Sequence, residues 1–356
     1  MSRRRNWITG VLVIALVLPV GAMVPSVTAS GASVTNVTVG PFMRVCGARF
    51  CIGSNAFYPY GATTYQSTSQ AGIDNPAGAI SLAQSQHLNT IRLVNFLNPH
   101  GRPGTAAYDP TTWAKVDRFI ADARAANIKV LLDLSDYRAE LWNACTDPYT
   151  HGWAKFLTFV ANRVNSVTGM TYKSDPEIVM VTFAGEPLPV GSHTFTDGRG
   201  RTCTISYSTS QLTRFYASIE AKWRSLDPNH LTAAGGLSNI DLPHSGIDWQ
   251  SIFGNPDNDV CAFKTYGHMF TWLPTGAEYC LLVLHKPWFN DEWGFTQSMG
   301  DDVRALFFKA ELANNLANGA AGNFYWNAND RISPTTFDVG PGTPLAQAAV
   351  VAGAPA

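Results

Sequence analysis

Hydrophobic positions along the chain follow two spacings that alternate with each other. In four segments apolar residues recur every three or four positions, as on one face of an α-helix; these are residues 113–123, 153–164, 212–226 and 303–310. Eight other segments are short apolar runs without polar alternation; they are residues 57–61, 90–94, 130–134, 178–185, 231–234, 260–266, 286–289 and 322–327. The pattern predicts a chain in which strands and helices alternate.

The predicted strands are apolar on both faces, which is typical of a buried parallel sheet. Eight such strands separated by helices predict an α/β fold, a (β/α)8 TIM barrel built as a single domain. The alternative is a doubly wound open sheet, which usually has a glycine-rich phosphate loop after its first strand. The sequence has no such loop after residues 57–61, so we predict the barrel.

Composition and charge exclude several classes of protein. The 356 residues carry a formal net charge of −1 and only 14% are charged, so neither disorder nor a nucleic-acid partner is predicted. Basic residues from Arg3 to Arg5 precede the apolar run ITGVLVIALVLPVGAMV, as in a secretion signal. The alternative is a membrane anchor, but no basic stop-transfer cluster follows the run. We predict a signal peptide at residues 1–32, a barrel domain at 33–340 and a loose low-complexity tail at 341–356.

The cysteines agree with export to an oxidising compartment. There are six of them, and disulfides persist in secreted proteins. Cys46 and Cys51 have a spacing suited to a short hairpin bridge. The other four could form two more bridges whose connectivity stays open; they are Cys145, Cys203, Cys261 and Cys280. A zinc site is the weaker alternative, because the sequence has no Cys-x-x-Cys pair and its histidines are scattered.

Two glutamates follow predicted strands of this barrel. Glu186 ends the fourth strand and Pro187 stops regular structure behind it, whereas Glu292 lies in KPWFNDEWGF at the seventh strand. The C-terminal ends of the strands form the mouth of a TIM barrel, where its chemistry takes place. A pair of carboxyl groups across a pocket suits glycoside hydrolysis, and their separation decides the stereochemistry. The alternative is that each glutamate is a salt-bridge partner at a strand end.

Longer segments resemble glycoside hydrolase family 5, especially its endo-β-1,4-mannanases. The most specific are RVNSVTGMTYKSDPEIVMVTFAGEP, which is similar to the family's acid/base region, and KPWFNDEWGF, which is similar to its nucleophile segment. FYPYGATTYQ, NTIRLVNF, WRSLDPNHLTAAGG and GNFYWN resemble the family at other strands. Together the resemblance covers residues 42–328.

The resemblance implies a retaining mechanism with Glu186 as general acid/base and Glu292 as nucleophile. Arg92 and Tyr266 would contact the nucleophile, and Trp326 would lie under the sugar ring. The alternatives are that Arg92 neutralises an interior acid and that the two aromatic residues only pack. Further tryptophans could line a glycan groove, with Trp272 and Trp293 ahead of Trp142, Trp153 and Trp288.

Three positions depart from the family's pattern. Gly185 stands where the family has an asparagine whose amide contacts the sugar 2-hydroxyl. Lys264 stands where the family usually has a histidine, and His268 further along is a candidate substitute. The third strand end has no histidine; the loop after it contains Asp136, Tyr137, Arg138 and Trp142, which are candidate glycan contacts. These departures leave both carboxylates in place and weaken the assignment of the substrate.

We therefore predict a secreted, extracellular β-glycoside hydrolase that cleaves β-1,4-linked polysaccharide or oligosaccharide, with mannan ahead of glucan. The alternatives are a β-glucanase or cellulase, an exo-β-mannosidase, a transglycosylase, and a weakly active carbohydrate-binding barrel, which Gly185 would favour. This chemistry needs no metal, and we predict no cofactor. After cleavage of the signal we expect a monomer with no nucleic-acid or membrane partner.

Overall fold

A computed structural model of the chain describes residues 40–65, 72–94, 96–97, 106–150, 152–197, 200–238, 244–266 and 272–355. The predicted signal peptide and His268 lie outside these residues. The strands are β1 (Met43–Cys46), β2 (Arg49–Ile52), β3 (Asn55–Phe57), β4 (Tyr60–Tyr65), β5 (Thr90–Val94), β6 (Lys129–Asp133), β7 (Ile178–Thr182), β8 (Gly191–Thr196), β9 (Thr202–Tyr207), β10 (Leu231–Ala233), β11 (Leu237–Ser238), β12 (Cys261–Thr265), β13 (Trp288–Trp293) and β14 (Gly322–Tyr325).

Helices separate the strands of the main sheet, as the sequence predicts. They are α1 (Pro76–Ser85), α2 (Pro110–Ala125), α3 (Asp136–Asn143), α4 (Trp153–Asn162), α5 (Thr209–Leu226), α6 (Trp249–Gly254), α7 (Leu273–Glu278), α8 (Asp301–Ala317) and α9 (Pro344–Ala352). A π-helical turn, Tyr279–Val283, continues α7. Caps define several of the starts: Asp109 accepts from the first turn of α2, and Ser208 and Gln211 form a reciprocal capping box on α5.

The main sheet is parallel and nearly closes on itself. Its spatial order is β10, β7, β6, β5, β4, β14, β13, β12, β11. The two ends of this order, β10 and β11, are parts of one chain segment that is interrupted only at residues 234–236. The two parts together take the place of one strand, so the sheet has eight strand positions. The predicted (β/α)8 barrel is confirmed, and the open doubly wound sheet is excluded because both sheet ends belong to the same segment.

A small antiparallel sheet, β1–β2–β3, precedes the barrel. Met43 and Phe50 from this sheet join an apolar cluster with barrel-strand side chains. The strand members of the cluster are Leu131, Val179, Met180, Leu231, Ala233, Ala262, Phe289 and Phe324. Because Phe289 lies near the start of β13, this cluster, which we call the base cluster, fills the N-terminal end of the barrel. The predicted start of the first barrel strand, residue 57, belongs to β3 of this small sheet, and the barrel strand starts at Tyr60.

All six cysteines form disulfides, so they provide no thiolates for the zinc-site alternative. Cys46 pairs with Cys51, as predicted. The other two bridges are Cys145–Cys203 and Cys261–Cys280. Cys203 lies in β9, so the second bridge ties the β8–β9 hairpin to the end of α3.

The prediction of a loose C-terminal tail is wrong. Residues 344–352 form α9, whose Ala346, Ala349 and Val350 are buried. The hydroxyl of Tyr60 donates to the carbonyl oxygen of Val350 at 2.6 Å. The small residues that look like low complexity in the sequence are spaced at a helical period, which lets α9 approach α8 and the barrel closely.

Candidate active site

Glu186 lies beyond the end of β7, in a backbone conformation unusual for a residue with a side chain. Its φ is +53°, a left-handed conformation that costs roughly 1–3 kcal/mol for a residue other than glycine. Two hydrogen bonds hold it: its N–H donates to the carbonyl of Gly236 at 3.0 Å, and the Arg138 guanidinium donates to its carbonyl oxygen. These bonds fix the backbone of Glu186, whose side chain remains 40% exposed.

Glu292 points into the barrel because β13 contains a bulge. Phe263 of β12 pairs with Asn290, and the next residue, Lys264, pairs with Glu292, so Asp291 is an extra residue in the ladder. A bulge interrupts the alternation of side chains between the two faces of a sheet. Asp291 and Glu292 therefore both face the barrel interior, although they are consecutive.

Three donors surround the carboxylate of Glu292. Arg92 Nη1 and Lys264 Nζ donate to Oε2, each at 2.8 Å, and the Tyr266 hydroxyl donates to Oε1 at 2.8 Å. Burial alone would raise the pKa of Glu292, but the charges of Lys264 and Arg92 and the hydrogen bonds from Lys264 and Tyr266 outweigh burial and lower it. The structure thus brings the predicted residues Arg92, Lys264 and Tyr266 to Glu292 and favours its ionised form.

Arg92 is shared by three carboxylates inside the barrel. Besides Glu292, it donates to Asp133 Oδ2 at 2.5 Å and lies 3.2 Å from Asp291 Oδ1. It also donates to Thr63 Oγ1 at 3.0 Å. Burial would lower the pKa of Arg92, but these carboxylates outweigh it and raise the pKa well above its usual value. For Asp291, burial dominates and raises the pKa to about 6.

Sequence reasoning missed Asp133 and Asp291. Both had a visible signal, since Asp133 ends an apolar strand run and Asp291 directly precedes Glu292. Strand alternation would have placed Asp291 on the outer face, away from Glu292. Only the bulge brings it to Arg92.

Lys264 lies between the two glutamates. Its Nζ is 2.8 Å from Oε2 of Glu292 and 3.5 Å from Oε2 of Glu186. Because both oxygens contact the same nitrogen, Oε2 of Glu292 and Oε2 of Glu186 lie at most about 6.3 Å apart. The lysine stem needs the glycine at 236, because a Cβ there would lie 2.3 Å from Lys264 Cγ.

The hydroxyl of Ser135 lies next to the space that a side chain at Gly185 would occupy. The N–H of Gly185 donates to Ser135 Oγ at 2.8 Å, and this hydroxyl donates to the carbonyl of Phe183 at 3.0 Å. A Cβ at Gly185 would lie 3.1 Å from Ser135 Oγ, so a larger residue would require the serine to shift. The position therefore offers a substrate no side chain.

The segment after the third barrel strand, predicted as a loop, is helix α3 and packs beside the site. Tyr137 stacks on Phe156 with ring centroids 4.0 Å apart. Burial raises the pKa of Asp136 to about 7. Both side chains are buried, so we conclude that they are structural. Arg138 lies over the Trp142 ring at 5.7 Å while it holds the Glu186 carbonyl.

The two leading groove candidates, Trp293 and Trp272, pack in or against the hydrophobic core. Trp293 is 1% exposed and donates from Nε1 to Asn323 Oδ1, so the prediction that it lines a groove is wrong. Trp272 packs edge-on against Trp249 and Phe263, with ring centroids 5.0 and 5.4 Å away. Phe263 neighbours the inward-facing Lys264 in β12 and so faces the helices. Trp272 therefore lies in the helical layer, which contradicts the prediction for it.

The remaining aromatic candidates also divide between core and surface. Trp153 and Trp288 are buried in the core. Trp142 is half-buried and stacks on Phe195 of the β8–β9 hairpin, with centroids 5.4 Å apart. Trp326 follows β14 and is half-buried. Its backbone N–H donates to the carbonyl oxygen of Trp293 at 2.6 Å.

The chain is similar to known proteins both in sequence and in structure. No family model matches the chain. Mannan endo-1,4-beta-mannosidase 1 of Oryza sativa subsp. japonica is 24% identical over 356 aligned positions, covering 81% of this chain and 78% of that protein. Mannan endo-1,4-beta-mannosidase F of Aspergillus fumigatus is 23% identical, covering 87% and 75%.

Solved structures agree with these relatives. The endo-1,4-beta-mannanase of Rhizomucor miehei superposes with a TM-score of 0.71 at 22% identity, covering 88% of this chain and 99% of that one. The chain is similar to the mannanases of glycoside hydrolase family 5. A family 5 mannosidase of the same fungus has a TM-score of 0.65 at 12% identity, covering 89% and 98%. The predicted resemblance is thereby confirmed.

Proposed function

We propose that this protein is a retaining β-glycoside hydrolase that cleaves β-1,4-linked mannan, with Glu292 as nucleophile and Glu186 as general acid/base. One observation carries the proposal: a single ammonium group, Lys264 Nζ, contacts both carboxylates, so the two contacted oxygens lie at most about 6.3 Å apart. Retaining enzymes hold their carboxyl groups about 5–5.5 Å apart, whereas inverting enzymes need roughly 6.5–9.5 Å for an intervening water.

The environments of the two glutamates support different roles. Glu292 is buried and held ionised by Lys264 and Arg92, which suits a group that attacks the anomeric carbon. Burial and the charge of Glu292 raise the pKa of Tyr266 well above its usual value, so its hydroxyl stays a donor. Glu186 is more exposed, which suits a group that exchanges protons with the leaving oxygen and with water.

In the first step Glu292 forms an ester bond to the anomeric carbon, the glycosidic bond breaks, and the proton of Glu186 passes to the leaving oxygen. In the second step Glu186, now ionised, takes a proton from water. The water oxygen bonds to the anomeric carbon and the ester bond breaks, which returns the electron pair to Glu292. Two inversions at one carbon give net retention.

The substrate assignment rests on the curated relatives, which are named as mannan endo-1,4-beta-mannosidases. The fold alone does not separate the alternatives. An endoglucanase catalytic domain from Xanthomonas campestris superposes with a TM-score of 0.57 at 15% identity. An exo-beta-1,4-mannosidase from an Opitutaceae bacterium gives 0.58 at 15%. Endo action on mannan is therefore part of the proposal.

We also propose that the protein acts outside the cell. Three disulfides connect parts of the described chain, and such bonds persist in oxidising compartments. Among the helices of the described ranges, none combines the length and hydrophobicity needed to cross a bilayer.

The test compares the full chain with Glu292→Gln and Glu186→Gln on β-mannan and on β-glucan. Glu278→Gln, at an exposed position in α7, is the matched control and should keep wild-type activity. We expect release of manno-oligosaccharides by the wild type and a loss of at least about 10⁴-fold in Glu292→Gln. NMR should show the β-anomer as the first product. An α-anomer as first product contradicts retention, and release of sugar from glucan but not mannan contradicts the substrate.

A second substrate separates the roles of the two glutamates. On a 2,4-dinitrophenyl β-mannobioside the leaving group needs no proton, so Glu186→Gln should still form the glycosyl-enzyme. Azide, which attacks without a general base, should then restore turnover in Glu186→Gln and leave Glu292→Gln inactive. The reverse pattern would exchange the assigned roles.

A further inference from the structure

The ammonium group of Lys264 contacts both candidate catalytic carboxylates from inside the barrel. Its nearer partner is Glu292 Oε2 at 2.8 Å and its farther partner is Glu186 Oε2 at 3.5 Å. Burial would lower the pKa of Lys264, but the negative charges of Glu292 and Glu186 outweigh burial and raise it. These contacts therefore favour the charged form of the ammonium group between the glutamates.

Double displacement moves one negative charge from one glutamate to the other. Before the first step Glu292 is ionised and Glu186 holds a proton. After that step Glu292 is a neutral ester and Glu186 is ionised, since its proton has gone to the leaving oxygen. The net charge of the pair is the same in both states, and only its location changes.

A cation that contacts both glutamates interacts favourably with the negative charge whether it lies on Glu292 or on Glu186. At a few ångströms in a partly buried site, the attraction within such an ion pair is stronger than in bulk water, because the surroundings screen it less. The long stem of lysine allows a small shift of Nζ between its two partners. Arg92 cannot move between the two glutamates, because its guanidinium group already pairs with Asp133, Asp291 and Glu292.

We propose that Lys264 is a positioning residue that pairs with whichever of Glu292 and Glu186 is ionised, and so supports both steps of the reaction. This inference rests on the retaining mechanism proposed above. It differs from a role in holding substrate, which would change KM more than kcat. It also differs from a packing role, which would affect every substrate equally.

The test compares Lys264→Met, which keeps the stem and removes the charge, with Lys264→Arg, which keeps a cation. The first step is followed as kcat/KM on mannopentaose, where Glu186 must give up its proton. It is also followed on 2,4-dinitrophenyl β-mannobioside, where no proton is needed. The second step is followed as kcat on the dinitrophenyl substrate, for which hydrolysis of the glycosyl-enzyme is the slow step.

We expect Lys264→Met to lower kcat/KM on mannopentaose by about 10²-fold, the typical effect of removing one preorganised charge or donor. The fall in kcat/KM on the dinitrophenyl substrate should be at least about tenfold smaller, while kcat on this substrate also falls. Lys264→Arg should recover most of the loss. In Lys264→Ala, propylammonium should restore activity and the neutral 1-propanol, which has the same number of heavy atoms, should not.

Several results would overturn the inference. Equal falls in kcat/KM on both substrates, or rescue by 1-propanol, would show that Lys264 only fills space. An unchanged kcat on the dinitrophenyl substrate would exclude a role in the second step. If Lys264→Met does not fold, as judged by its thermal transition, Lys264→Gln takes its place in the same comparison. A wild type without activity on mannan or the mannobioside would overturn the proposed function as well, whereas an active wild type with an equally active Lys264→Met overturns only this inference.

Discussion

The two ends of the barrel interior share several strands but are held together in opposite ways. At the N-terminal end the base cluster packs apolar side chains such as Phe50, Phe289 and Phe324. At the mouth, Arg92 and Lys264 face Asp133, Asp291 and Glu292. Burying apolar area is favourable for each residue by itself, whereas a buried charge is tolerated only with its partners in place. The base therefore stabilises the barrel, and the mouth depends on that stability to keep its charges paired.

Arg92→Met should have the largest effect on stability, because the guanidinium group of Arg92 by itself pairs with Asp133, Asp291 and Glu292 at the mouth. Leaving buried carboxylates without their cation costs about 3–5 kcal/mol, and we expect the upper end of that range in the free energy of unfolding. Activity should fall together with stability. Urea unfolding and the mannan assay measure the two effects.

The matched control for Arg92→Met is Arg118→Met. Arg118 pairs with Asp122 on the surface of α2, and its side chain is 64% exposed. We expect almost no change in the free energy of unfolding and full activity, because water and salt screen an exposed pair. If the two arginine variants lose similar stability, burial does not distinguish the mouth charges from surface pairs.

Phe50→Ala tests the other end of the comparison. Phe50 is fully buried in the base cluster, so its truncation should cost about 3–4 kcal/mol of unfolding free energy. The mouth residues are unchanged, so kcat at a temperature where the variant is folded should stay close to the wild-type value. Leu306→Ala, at a 67% exposed position, should cost far less. A large loss of kcat in folded Phe50→Ala would show that the two ends are coupled.

The smallest expected effect is a change in the pH profile. In the proposed mechanism Glu292 acts in its ionised form, so activity is expected to fall as the pH drops through its pKa. Burial raises this pKa, but Lys264 and Arg92 outweigh burial and lower it. Lys264→Met should therefore move the acid limb of kcat/KM to higher pH, by about one unit or more. Phe50→Ala should keep the wild-type acid limb. A limb that stays in place or moves to lower pH in Lys264→Met would contradict the assigned charge effect.

Much of the fold followed from the sequence because parallel barrels have a simple pattern. Uninterrupted apolar runs between amphipathic helices predicted the strands, and Thr90–Val94 matches its predicted bounds. The tail was misjudged because alanine-rich helices resemble low complexity when no partner is visible. The hairpin β8–β9 was missed because its strands are not uninterrupted apolar runs: in β9 the buried Cys203, Ile205 and Tyr207 alternate with exposed polar residues. The bond of Cys203 to Cys145 ties this hairpin to the end of α3.

The sequence by itself determined that the protein is a barrel and that Glu186 and Glu292 lie at strand ends on one side of it. Both conclusions depend on local hydrophobic period and chain order, which a sequence records directly. Tertiary structure decided which side chains meet. The extra residue at Asp291 turned two consecutive acids inward, the space at Gly236 admitted Lys264 between the glutamates, and packing buried Trp293. Such contacts depend on strand register and on distances across the barrel, because residues far apart in the chain fix the position of each charge.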